Sequence, residues 1–563
     1  MSGVTETLNF DDVSVAVPDL DALAGRMGAL EEALGSASTL DECLGAVRTW
    51  DDLRRQVSTY GALVELRFCQ DTTDDDRKAV REAWDEEAPR WTELDVSMQR
   101  ALLGHRRRPE LEAALGAQAF ALWESQVLAF DPLIKADLVA ESKLAAEYVE
   151  LLASAELSFA GEHLNLSSIQ KYQEAAERSV RHDAERVYWD WFAAHGEVLD
   201  RIFHDLVRVR TGIARTLGAE DFVAVGYRRM CRVDYDRDDV ERLRAAVREH
   251  VVPLAAELRA RQAVALGVEH LYAWDEPVHD KAGNPSPLGD HDWMVARGRE
   301  MFDDMEPLGP FFRRMEAGGF LDLAGRKGKA GGGFCTGFAS YGMPFVFANF
   351  NGTKHDVEVF THEMGHAFQA YQSRHQPLSD YLWPTMESGE IHSMSLEFLT
   401  WPHMERFFGD DAERFRRLHL TGALLFLPYG TAVDHFQHEI YARPDLTADE
   451  RHELWRQMER TYLPWRDWDD LAYPARGAAW QPLLHVYAMP FYFIDYVLAQ
   501  VCALQFWSRA LTDRGAALHD YVALCTRGGS APFGELTRSA GLDSPFDEGF
   551  LSAVVDQARA ALA

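Results

Sequence analysis

Positive charge is scarce in this chain. Lys and Arg number 57 against 90 Asp and Glu, a formal net charge of −33. So acidic a surface repels polyanions, which argues against nucleic acid or an anionic membrane as partner. Cysteine is scarce too: the six (Cys43, Cys69, Cys231, Cys335, Cys502, Cys525) are scattered and none forms a Cys-x-x-Cys pair. That distribution describes buried thiols in a reducing compartment, not a disulfide framework. No apolar run is long enough to span a bilayer, and residues 1–10 have neither a basic nor an apolar signal-peptide region. A cytoplasmic protein is therefore expected. No fixed-period repeat or low-complexity linker stands out. The glycine run at 325–333 has no Gly-Lys-Ser/Thr ending, so it is not a phosphate loop.

What is present reads mainly as amphipathic helix. Leu20, Leu23, Met27, Leu30 and Leu34 fall at three- and four-residue steps, the period of one helical face. Residues 40–50, 57–68 and 91–103 repeat the pattern. Thr39 with Glu42 forms a candidate capping box, and Asp131-Pro132 begins another helical run. A second helical series covers about 183–266. Its arginine-rich segments, 207–210 and 227–232, are expected to pair with surface carboxylates, the alternative being a basic cavity lining. Residues 274–292 read as a long loop. The one convincing strand region is 334–338 with 344–350, closed by the turn residues Asn351-Gly352. Such a strand either pairs with an extended substrate or belongs to ordinary core sheet.

The chemistry concentrates just after these strands, in His362-Glu363-Met364-Gly365-His366. Two histidines four apart on a helix differ by about 40° around its axis, so both imidazoles leave one face. That spacing suits two nitrogen ligands of one Zn²⁺, with Glu363 between them as general base. Asp356 is the expected N-cap of this helix. A catalytic zinc takes three protein ligands, and Glu390 is the candidate third. A helix starting near Ser388 puts Glu390, Ser393, Met394 and Glu397 on one face. Two carboxylates in an apolar segment need partners, and a dication is one. Further on, His485, Tyr487, Tyr492 and Tyr496 crowd one stretch, either as stabilisers of a carbonyl oxyanion or as an aromatic core helix.

Four stretches together, 331–352, 361–369, 390–399 and 485–500, resemble the thimet oligopeptidase superfamily, and within it the oligoendopeptidase F branch. The similarity covers most of the chain and is weakest over the first hundred residues. The resemblance implies a mainly α, two-lobed zincin-like metallopeptidase with a small β-sheet beside the active-site helix and a deep central channel. Residues 1–190 would form an N-terminal helical region and 191–563 the catalytic region. The resemblance further implies one Zn²⁺ per chain held by His362, His366 and Glu390, with Glu363 catalytic. His485 would contact substrate, and Tyr492 and Tyr496 would stabilise the oxyanion. Related enzymes carry an Asp four positions after the ligand Glu. Met394 stands there, which leaves Glu397 to take that supporting role. The expected activity is cleavage of internal bonds in short unstructured peptides. The alternatives are a metallo-exopeptidase (carboxypeptidase or dipeptidyl carboxypeptidase) and a catalytically silent peptide-binding scaffold.

Overall fold

A computed structural model describes residues 8–547 and 549–562, and it is about 70% helical. The N-terminal helices are α1 (Leu20–Ser36), α2 (Leu40–Gln70) and α3 (Asp75–Leu103). Thr39 and Glu42 do close a capping box at the start of α2. The two patterns at 40–50 and 57–68 lie on this one 31-residue helix. Its polar middle is absorbed internally: buried Asp51 accepts from Arg55 Nε at 2.7 Å and from the backbone N–H of Ser379 at 2.6 Å. The apolar faces of these helices, with Phe120, Trp123, Leu378 and Tyr381, form a small separate core.

The larger core takes in most of the rest of the chain. It includes α4 (Arg178–Thr216), a helix of 39 residues. Here the arginines depart in part from expectation. Arg208 does pair at the surface, 3.5 Å from Asp205, but Arg210 and Arg232 are paired in the interior. Fully buried Arg210 donates from Nε to Glu141 at 2.7 Å and from Nη1 to the Tyr441 hydroxyl at 2.8 Å. Arg232 meets Asp495 at 2.8 Å with both side chains fully buried. A guanidinium taken out of water needs a carboxylate nearby, and burial enforces that requirement more strictly than a surface does.

Two strands of three residues each, β1 (Leu157–Phe159) and β2 (Glu162–Leu164), form an unanticipated hairpin. Its two turn residues, Ala160 and Gly161, both have positive φ, the backbone that matches strand twist in a two-residue hairpin. Strands this short show no usable alternation. The main sheet has β3 (Leu321–Ala324), β4 (Phe334–Phe338) and β5 (Met343–Phe350) in the order β3-β5-β4. Central β5 runs parallel to β3 and antiparallel to β4, pairing Phe334 with Phe347. Within the glycine-rich connection, Lys329 is buried and donates to Asp322 and to the carbonyls of Ala324 and Ala348.

From β5 the chain turns directly into α5 (Lys354–Gln372). Asp356 is not its N-cap; Thr353 occupies that position. Instead, from the third position of the helix, Asp356 accepts the backbone N–H groups of Asn351 (2.9 Å) and Gly352 (2.7 Å), pinning the turn that feeds the helix. After α5 come α6 (Met386–Leu399), α7 (Ala412–Ala442), the short α8 (Leu484–Ala488) and α9 (Phe493–Thr512). Helix α6 begins two residues before the expected start, packs against both α5 and α9, and is almost wholly buried. The α5–α6 crossing depends on Gly365. A Cβ there would lie 2.6 Å from both the His392 carbonyl oxygen and the Ser393 Cα. Among the described residues no helix is long and apolar enough to cross a membrane.

Candidate metal and catalytic site

That close crossing brings α6 carboxylates to the histidine face of α5. Glu390 Oε2 lies 3.2 Å from His362 Nε2 and 3.2 Å from His366 Nε2. A tetrahedral zinc with bonds of about 2.0–2.1 Å separates neighbouring ligand atoms by about 3.3 Å. Glu390 Oε2 therefore stands at the spacing one ion requires from each histidine, and the ligand atoms of all three residues lie within 4.8 Å of one another. Two imidazoles and a carboxylate are also a common zinc donor set. The electrostatics agree. Burial works to raise the Glu390 carboxyl, yet the two histidines hold it well below the ordinary range. Burial works to lower His362, yet its bonds to Glu390 and Glu397 carry it well above. The cluster calls for positive charge at its centre.

Two of the three candidate ligands have a support. Both oxygens of Glu390, which is 2% exposed, accept hydrogen bonds. Ser393 Oγ donates to Oε2 at 2.8 Å, and the Tyr492 hydroxyl donates a short bond to Oε1. Behind His362, Nδ1 lies 2.7 Å from Glu397 Oε1. Glu397 thus occupies the supporting position that Met394 cannot fill. Its second oxygen lies 2.6 Å from His419 Nε2 on α7.

Glu363 is 6% exposed, and its Oε2 has no hydrogen-bond partner among the described residues. Burial raises its carboxyl above the usual range, opposed by the two histidines. The end of the glycine-rich connection closes over it: a Cβ on Gly333 would come within 3.5 Å of Glu363 Oε1.

The aromatic stretch reaches the same site from α8 and α9. His485 and Tyr492 have ring centroids 5.1 Å apart, and Tyr492 and Tyr496 are 4.7 Å apart. The Tyr496 hydroxyl lies 3.3 Å from His485 Nε2. Burial pushes His485 down to about 4, so its imidazole is neutral at pH 7. Tyr487 is elsewhere, fully buried and stacked on Tyr148. The tyrosine pair is aimed by a strained turn: Phe491, just before Tyr492, has φ of 71°, a conformation that costs a non-glycine residue about 1–3 kcal/mol. Packing holds it there. Its backbone N–H donates to Gln437 Oε1 at 2.9 Å, and its ring fills the space left by the missing side chain of Gly226.

Several residues of the site escaped the sequence reading. His419 and its partner Trp401 are single residues in unremarkable helical sequence, with no local signal. Glu387, one turn before Glu390, is 1% exposed and faces Asp495 and Arg232. Burial pushes its carboxyl up to about 8. Its spacing from Glu390 was the only available clue.

Residues 10–130 match the Peptidase M3 N-terminal domain and residues 310–556 match Peptidase family M3. Among solved structures, an X-ray structure of a protein assigned as oligoendopeptidase F is 46% identical, covering 99% of this chain and 98% of that one, with a TM-score of 0.97. PZ peptidase A, solved with an inhibitor, is 42% identical over 98% of this chain and 99% of its own, also with a TM-score of 0.97. A protein from Bacillus anthracis strain Ames, likewise assigned as oligoendopeptidase F, is 41% identical over 99% and 98%, with a TM-score of 0.92. No curated protein matches the chain.

Proposed function

The chain belongs to peptidase family M3 and is a metallopeptidase, and from that premise we propose that it is a zinc-dependent oligoendopeptidase. It cuts internal bonds of short, unstructured peptides. The observation that carries this reading is the convergence of His362, His366 and Glu390 within reach of one ion, with a buried Glu363 beside them whose Oε2 is unpartnered among the described residues. Those three side chains would hold one ion. Zinc, when bound, supplies a Lewis acid and makes water acidic enough to ionise near neutral pH.

The chain's own residues do the rest. Glu363 is the general base: its unpartnered oxygen takes the proton of the water that attacks the scissile carbonyl and then delivers it to the leaving amine. Burial raises its proton affinity, and a base works best with a pKa closer to the working pH. Glu397 fixes the ring of His362. Tyr492 is committed to Glu390, so Tyr496 is the hydroxyl that donates to the substrate carbonyl oxygen as charge develops there. Neutral His485 holds Tyr496 and contacts the peptide alongside it.

An internally quenched peptide of about eight to ten residues with both ends blocked, a size suited to the channel the resemblance implies, tests the proposal. We expect internal cleavage that a chelator abolishes and zinc restores. In Glu363→Gln, zinc should stay bound while turnover falls by at least about 10²-fold, the usual share of a general base. A chain that ignores the blocked peptide but trims a free-ended one is an exopeptidase. A chain that binds no metal overturns the reading altogether.

A further inference from the structure

Behind the candidate ligands, four side chains form one hydrogen-bonded line, and the donor inventory settles where its protons sit. The indole N–H of Trp401 can only donate. It lies 3.0 Å from His419 Nδ1, so that nitrogen is the acceptor and the His419 proton is on Nε2. From there it donates to Glu397 Oε2 at 2.6 Å. The other Glu397 oxygen lies 2.7 Å from His362 Nδ1. A carboxylate only accepts, so His362 carries a proton on Nδ1, which leaves Nε2 as the nitrogen that would hold the ion beside Glu390.

We propose that His419, oriented by Trp401, is a positioning residue of the metal site: through Glu397 it fixes the tautomer and ring orientation of His362. The inference rests on the zinc reading above and adds two residues to it. His419 is 8% exposed and boxed by Phe398 (centroids 4.7 Å apart) and Phe415 (5.8 Å, rings nearly parallel). Glu397 accepts from both histidines; with His419 removed, Oε2 would lose its donor in a site that water reaches poorly. A carboxylate oxygen left without a donor turns towards other partners, and the grip on His362 loosens. The line joins α5, α6 and α7 with the turn Trp401–His403 that follows α6, so it also ties ligand geometry to the packing of three helices.

The test is zinc affinity, measured on metal-free protein by competition with a chromophoric chelator. Folding is checked by circular dichroism. His419→Phe fills the aromatic box but has no N–H to offer. It should weaken zinc binding by about tenfold, the lower end for loss of an outer-shell partner. His419→Gln can return an N–H to Glu397 and should recover most of that loss. Trp401→Phe, which keeps the ring and removes the indole N–H, should show a smaller loss in the same direction; it decides the matter by itself should His419→Phe fail to fold. In a Glu397→Ala background, His419→Phe should add less than about a further twofold, because the path runs through Glu397. A folded His419→Phe that binds zinc as tightly as the parent overturns the inference, as do fully additive losses in the double variant. A parent chain that binds no zinc refutes the underlying reading of the site instead.

Discussion

Replacing Tyr492 by phenylalanine removes one oxygen and leaves its ring in place, which makes it a sharp probe of how labour is divided between the two tyrosines. Among the described residues the Tyr492 hydroxyl is the one hydrogen-bond partner of Glu390 Oε1, while Ser393 serves the other oxygen. Glu390 is 2% and Tyr492 8% exposed, so water is poorly placed to substitute. A hydrogen bond to a charged, buried acceptor is worth about 1.5–3 kcal/mol. At about 1.4 kcal/mol per tenfold, that is a factor of roughly 10–150. The loss should fall on metal binding, since the bond restrains a ligand carboxylate. We expect the zinc Kd of Tyr492→Phe to rise by about that factor, with kcat at saturating zinc reduced by less than about tenfold. Tyr496→Phe should do the reverse. Zinc affinity stays put, and kcat falls by about 10²–10³-fold, the range for losing one oxyanion donor. Chelator competition gives the first quantity and the quenched-peptide assay the second. If Tyr492→Phe kept its zinc affinity but lost turnover a hundredfold, Tyr492 would act on substrate, and its bond to Glu390 would not be its function.

Two further predictions concern the scaffold. Gly365→Ala forces a methyl group against the α6 backbone. It should cost about 1–3 kcal/mol, seen as a lower Tm of the metal-free protein. Gly389→Ala, which meets nothing within 4 Å, should leave Tm unchanged or raise it by the usual helical preference for alanine; equal effects would refute the crossing argument. Glu387 has its carboxyl raised from 4.5 to about 8 in the fold. The folded chain therefore holds a proton that the unfolded chain releases, and stability declines as pH rises through that interval. Glu387→Gln removes the effect, so its Tm relative to the parent should rise between about pH 5 and pH 8 and level off above that. A pH-independent difference would refute the assignment.

Much of the site was legible in the sequence because it depends on covalent spacing along single helices. The imidazoles at 362 and 366, with Glu363 between, share α5. Glu390 and Glu397, seven apart on α6, both reach His362. The capping box at Thr39 is equally local, two side chains closing on their own helix end. Aromatic content, flanking glycines and the Asn351-Gly352 turn also marked β4 and β5, though strands of three or four residues escaped. Periodicity split α2 in two, because polar Asp51 looks like a break until its partner at residue 379 is known.

What only the tertiary structure decided are relations between elements distant in the chain. Nothing in the spacing of Tyr492 and Tyr496 says which hydroxyl meets Glu390; the strained backbone at Phe491, held by Gln437 and Gly226, makes that choice. His419 and Trp401 carry no local mark, and they join the site because α7 passes behind α6. The acidic residues at 387 and 495 share a buried space with Arg232, from another part of the chain. Helical period is set by local backbone geometry and can be read one segment at a time. The meeting of two segments is set by how their side chains fill a common volume, down to the hydrogen atom that Gly365 has in place of a Cβ.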